Sequence, residues 1–225
     1  MERQKIGRKL SDPTASVVPV FEGFPSDATR WFDEVAGLDD WAAVQARKPD
    51  HDRWIRQPMV ALCTELADEF GAPYIWRLHR SRWFWAHQHA QVQVADTIEL
   101  GVTLSGDGLL INGGWLRSSP DQVRRFRAAV DGPPGKELEE VMADVEAAGF
   151  SIGGHRLARV PRGFAADHLR AELLLHRTLT AEQGWPTDGW LATREALDRV
   201  RAGWRVLDPL TAWLAEFVGP RESRM

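Results

Sequence analysis

Apolar residues recur every three or four positions at both ends of this chain and every second position in between. The first spacing buries one stripe of a helix and the second buries one face of a strand. Near the start, Phe24, Trp31, Phe32 and Val35 predict the inward face of a helix that begins at Ser26 and Asp27. Residues Asp40 to Arg47 read as a second short helix, broken by Pro49. From His51 to Phe70 the positions Trp54, Ile55, Met59, Leu62, Cys63, Leu66 and Phe70 trace an amphipathic helix. Pro58 inside it implies a kink or a junction of two helices, and Gly71 with Pro73 behind it marks the stop.

At Tyr74 the period changes. Tyr74 to His79 reads as a strand, and Ala90 to Ala95 alternates with Val92 and Val94 on one face. Thr97 to Leu104 alternates again, with Ile98, Leu100, Val102 and Leu104 together. Gly106-Asp107-Gly108 supplies a hairpin turn, and Leu109 to Trp115 returns as the next strand. Connections this short require antiparallel pairing. Ser118, Ser119 and Pro120 then cap a helix that runs through Phe126 to Val130. Pro133, Pro134 and Gly135 interrupt, and Lys136 to Ala148 is a further helix. Its Lys136, Glu137, Glu139, Glu140, Asp144 and Glu146 give it a net charge of −4, the mark of a solvated acidic face. Phe150 to Ile152 and Arg156 to Val160 read as short extended pieces. Ala165 to Thr178 reads as a helix with Leu169, Leu173 and Leu174 inward. A long C-terminal helix carries Trp190, Leu197, Val200, Trp204, Leu207 and Leu214, with a kink expected at Pro209.

The expected class is therefore α+β. A mostly antiparallel central sheet over about residues 74–115, with a strand near 150–160, is packed by N-terminal and C-terminal helices. Residues 1–18 read as a basic tail, 19–218 as a single domain and 219–225 as a short polar tail.

Composition narrows the classes. With 28 Lys and Arg against 32 Asp and Glu the net charge is −4, which argues against a dedicated nucleic-acid binder. A single cysteine, Cys63, rules out an intrachain disulfide and fits a reducing, cytoplasmic setting. The basic N-terminus has no apolar stretch behind it, so a secretory leader is not expected, and no apolar run reaches membrane-spanning length. Eleven Trp is a large number, and most are expected in the core.

Several common catalytic signatures are absent: there is no phosphate-binding G-x-x-x-x-G-K-[ST], no dinucleotide G-x-G-x-x-G, no H-E-x-x-H and no C-x-x-C. Cys63 falls on an apolar helix face, where a thiol is inert. His79, His87 and His89 are close enough in sequence for a zinc site, but no cysteine or fixed acid accompanies them, Asp96 being the nearest, and no metal is assigned. Arg77, Arg80 and Arg82 interleave with Trp76, Trp83 and Trp85, a pattern able to grip a phosphate, a carboxylate or a stacked base. In residues 160–176, Arg162 and Asp167 flank the turn at Gly163, and His168 lies four residues before Glu172. On a helix that spacing brings the two side chains together, and a carboxylate beside a histidine can make a general acid or base.

The order of these motifs resembles a widespread family catalogued as domain of unknown function twenty-four sixty-one. The resemblance rests on Phe21-x-x-Phe24-Pro25, Trp41, Lys48, Pro58, Arg77-x-x-Arg80, Gly113-Gly114-Trp115, Ser119-Pro120-Asp121, Arg127, Pro161-x-Gly163-Phe164-x-x-Asp167-His168 and Pro209-Leu210-x-x-Trp213-Leu214. It is collinear over about residues 21–218. The family's usual Asp after Arg-x-x-Arg is Ser81 here, Trp83 replaces the next Arg, and Ala86 to Ala90 lacks a Lys-rich run. The resemblance implies one-domain architecture and no particular activity or cofactor.

The functional expectation is a small-molecule site on the sheet that recognises an anionic group. Arg77, Arg80, Arg162 and Asp167 are its ligand-binding candidates, Trp115 its wall and His168 its acid/base group. A protein-interaction module is the alternative, and single-stranded nucleic-acid binding through the Arg/Trp stretch comes third.

Overall fold

A computed structural model of the chain describes residues 20–79 and 85–222. The expected basic tail lies outside the described residues, as do Arg80, Ser81, Arg82 and Trp83. The helices α1 (Ser26–Ala36), α2 (Trp41–Ala46), α3 (Lys48–His51) and α4 (Gln57–Phe70) come first. They are followed by the strands β1 (Pro73–Ile75), β2 (His87–Ala95), β3 (Ile98–Ser105) and β4 (Gly108–Trp115). Then come α5 (Pro120–Asp131), α6 (Pro134–Ala147), β5 (Ser151–Gly153), α7 (Ala171–Leu174), β6 (Leu179–Pro186) and α8 (Glu195–Phe217). The six strands form an antiparallel sheet in the order β1-β2-β3-β4-β6-β5, so the fold is α+β. Among the described residues no helix is long and apolar enough to cross a membrane.

The chain divides into two compact units. The first runs up to Val92 and adds Thr103–Leu109 and Pro186–Leu197. The second holds Gln93–Val102, Leu110–Trp185 and the chain from Asp198 onward.

In the first unit α1 buries Ala28, Trp31, Phe32 and Val35, the stripe its spacing predicts. Asp40 caps α2 by accepting from the backbone N–H of Ala42. α2 ends at Ala46, just ahead of Pro49, which occupies the first turn of α3, where its missing N–H costs nothing. The expected helix from His51 to Phe70 is present as a π-helical turn, Asp52–Arg56, leading into α4. Pro58 stands in the first turn of α4, so the junction falls where the proline requires it. Ile55, Met59, Leu62, Cys63 and Leu66 are buried there.

In the second unit α8 supplies the main apolar stripe. Val200, Trp204, Leu207, Leu210 and Leu214 are fully buried, each such burial contributing roughly 1.5–3 kcal/mol. Trp204 donates its indole N–H to the Gly101 carbonyl at 3.1 Å. The helix approaches the sheet so closely that a Cβ at Gly203 would meet Ile111 Cδ1 at 2.0 Å. Gly114 is required for a second reason: its φ is +133°, and a Cβ there would lie 2.3 Å from the Leu179 carbonyl. That contact seats the end of β4 against the start of β6.

Three predictions fail. Tyr74 to His79 is a strand only over Pro73–Ile75. The helix expected over Ala165 to Thr178 shrinks to Ala171–Leu174, and Leu169, placed inward by the helical spacing, is 84% exposed. Arg156 to Val160 forms only an isolated bridge between Arg156 and His176. The strand β6, not anticipated, follows at once and pairs antiparallel with β5. The demand of the sheet for a neighbour beside β4 overrides the weak helical spacing.

Candidate functional site

In the first unit the sheet presents a polar and aromatic face. Tyr74 pairs with Gln91 and Ile75 with Ala90, which carries Trp76 to His89. The Trp76 indole N–H donates to Gln91 Oε1 at 3.2 Å, and its ring meets His89 edge-on at 4.8 Å. His89 Nδ1 lies 2.8 Å from Thr103 Oγ1. Burial, then the neighbouring His87, pushes His89 down to about 4, so it is neutral at pH 7. Ala90 and Val92 face the core instead; Val94, expected with Val92, is 39% exposed. Arg77 follows this face and is exposed, with no ion pair among the described residues. Its expected companion Arg80 is outside the described residues. His79 uses its carbonyl to accept from the Trp85 indole at 2.8 Å. Among the described residues no group of three or more His, Cys, Asp or Glu is placed to hold a metal ion.

In the second unit α5 organises the chemistry. Ser119 and Gln122 form a capping box at its start, as the Ser-Pro sequence predicts. Phe126 faces inward and its ring lies 5.6 Å from Trp115. Trp115 is fully buried, so it is a core residue and not the wall of an open pocket. Arg127 is next along the helix. Its Nε is buried without a hydrogen-bond partner, and so is the Trp115 Nε1. Burial first, then the nearby Arg177 guanidinium, lowers the Arg127 pKa below the arginine range. Arg177 enters from the segment before β6 and is exposed, its backbone N–H held by the His155 carbonyl at 2.7 Å. Neither arginine has an ion pair among the described residues. Native proteins rarely leave a buried donor unpaired or bring two cations together without an anion.

The predicted acid/base group has a different arrangement. His168 Nε2 lies 3.0 Å from Asp131 Oδ1, and Nδ1 accepts the backbone N–H of Arg170 at 2.9 Å. The second bond leaves the proton on Nε2, so both nitrogens are committed. Glu172, expected beside His168, pairs with Arg156, because no continuous helix joins the two positions. Arg170 caps the end of α5 through the carbonyls of Val130 and Gly132, at 3.1 and 3.4 Å, and pairs with Glu139. Arg162 and Asp167 are both exposed on this loop.

A cavity of about 790 Å³ lies at the start of α5. Its two aspartates are already paired. Asp96 takes three bonds from Arg221, at 2.8–3.0 Å, and Asp121 accepts from the Glu222 backbone N–H at 2.9 Å.

Arg127 stands out in the sequence only as a motif position, and Arg177 belongs to no motif. No local spacing reveals an arginine whose significance is the lack of a carboxylate partner in three dimensions.

No curated protein and no solved structure matches the chain. The family described as "Conserved hypothetical protein (DUF2461)" matches residues 79–213, which take in β2 to β6, α5 to α7 and most of α8. Phe21, Phe24, Trp41, Pro58 and Arg77 precede that span, whereas Gly113, Gly114, Trp115, Ser119, Arg127 and His168 lie inside it. The chain therefore belongs to the DUF2461 family.

Proposed function

We propose that the chain binds a small molecule through an anionic group held by Arg127 and Arg177. The observation that carries this reading is the buried Arg127 Nε without a partner, beside a second cation and with no carboxylate paired to either among the described residues. Other arginines of the described chain are paired with acids, as Arg47 is with Glu34 and Asp50 and Arg194 with Glu65. A guanidinium offers parallel N–H donors that match two oxygens of a phosphate or carboxylate. Two neighbouring cations favour a dianion, so phosphate is the preferred group. The proposal moves the anion site from Arg77 and Arg80 to α5 and the approach to β6.

The test is a thermal melt in sodium phosphate against sodium chloride at equal ionic strength, on the parent chain and on R127Q and R177Q. At about 100 times the dissociation constant a ligand adds roughly 2.7 kcal/mol, a rise of roughly 5–10 °C for a chain of this size. The rise should disappear in both variants. Equal phosphate shifts in the parent and in R127Q would sink the reading.

A further inference from the structure

A second cleft, independent of the arginine pair, lies among α6, β5 and α7. Its volume is about 210 Å³, the space of about seven liquid waters, so an occupant must be small. His176 is only 3% exposed yet lines it. His176 Nδ1 is 3.0 Å from the Thr178 carbonyl. A carbonyl only accepts, so Nδ1 carries the proton and Nε2 presents a lone pair. Nε2 has no hydrogen bond within the described chain.

The remaining polar groups of the cleft carry both signs. Arg156 and Glu172 form an ion pair whose members are 44% and 82% exposed, so a ligand can reach either. Glu146, from α6, lines the cleft without a cationic partner among the described residues. Apolar walls come from Met142, Ile152 and Leu173. A carboxylate would meet the Arg156 fork. An ammonium would meet Glu146 or Glu172 and donate to His176 Nε2. A short aliphatic group would rest on the apolar walls. A simple anion would engage Arg156 and leave Glu146 and Nε2 without a ligand contact, and a simple amine would leave Arg156 with Glu172 alone. A molecule with both charges close together uses all of them.

We propose that the cleft around His176 binds a small aliphatic amino acid in its zwitterionic form. The probe is L-valine, with isobutyrate and isobutylamine as single-charge controls. Titration is followed by calorimetry and by the His176 imidazole resonances, which report from inside the cleft. L-Valine should bind and move the His176 resonances, while each control binds at least tenfold more weakly. R156Q and E146Q should each weaken L-valine at least tenfold. Both positions are solvent-accessible, so the variants should fold, and their melts check this. R127Q should bind L-valine as the parent does, which separates this site from the phosphate reading. Unmoved His176 resonances at millimolar L-valine, equal binding of the controls, or parent-like affinity in R156Q would each overturn the proposal.

Discussion

The Gln122 side-chain amide donates to Thr97 Oγ1 at 3.1 Å, and Thr97 is the one described residue other than glycine held at positive φ, 68°. A β-branched residue rarely adopts that conformation, so the turn between β2 and β3 is held in place from outside. Gln122 also donates to the Gly219 carbonyl at 2.8 Å and accepts from the Ser119 backbone N–H at 3.2 Å. One buried amide thus ties the strand turn, the start of α5 and the end of α8. Gln122→Ala should cost about 2–4 kcal/mol, since it removes several buried bonds and leaves the Gly219 carbonyl unpaired. Urea unfolding measures this. A loss below about 0.5 kcal/mol would show that water replaces the amide without penalty.

Two buried histidines predict acid sensitivity in the first unit. Burial pushes His51 and His89 each down to about 4 in the folded chain, against about 6.5 when unfolded. Between those values the unfolded chain binds more protons. Stability is therefore complete above about pH 6.5 and falls as pH drops through the window to about 4. Urea midpoints at pH 7.5, 6 and 5 should decline steadily, and His89→Gln and His51→Gln should each flatten the decline. The Gln variants retain a polar group of similar size, so an unchanged slope would assign the effect elsewhere.

Much of this architecture is legible in the sequence because it depends on local period. Ile98, Leu100, Val102 and Leu104 alternate and are all buried; Trp31, Phe32 and Val35 follow the helical repeat and are too. What depends on distant partners is not legible. Leu169, Leu173 and Leu174 satisfy a helical spacing, but the bridge at His176 and the pairing of β6 take the chain out of the helix. The same limit applies to sites. Trp115 reads as a wall beside two glycines, and only the fold shows those glycines serving close approach to β6 and α8 while the indole is buried. His168 reads as a partner of Glu172, and only the fold brings it Asp131.

Gly203→Ala tests the packing of α8 on β4. The new methyl would overlap Ile111 Cδ1, and overpacking of a filled core costs typically about 1–3 kcal/mol. Ile111→Val removes that carbon. The double variant should be more stable than the sum of the single changes predicts, with a coupling of roughly 0.5–3 kcal/mol. Additive losses would place the strain at another contact.

His168→Ala should act on stability and not on phosphate binding. It removes the bonds to Asp131 and to the Arg170 N–H, and it loosens the loop that carries the Arg170 cap. Asp131 is 56% exposed, so solvent weakens its hydrogen bond to His168, and a loss of about 1 kcal/mol is expected. The phosphate shift in the thermal melt should match the parent. A folded His168→Ala chain without that shift would return His168 to the site as a ligand-contacting group.

Arg127→Met should stabilise the ligand-free chain. The guanidinium is held in a partly desolvated place beside Arg177, with its Nε unpaired, so the folded state carries a penalty that the unfolded state does not. Methionine keeps the length of the aliphatic stem and removes the charge. A gain of roughly 0.5–2 kcal/mol is expected in chloride buffer, the usual size for relieving such a penalty. Phosphate should reverse the order, because the parent gains binding free energy that Arg127→Met cannot. The measurement is the melting temperature of both chains in the two salts. A crossing of the two chains ties the cost of the unpaired arginine to the anion it awaits. If Arg127→Met is less stable in chloride as well, Arg127 is a structural contact and the anion reading loses its support.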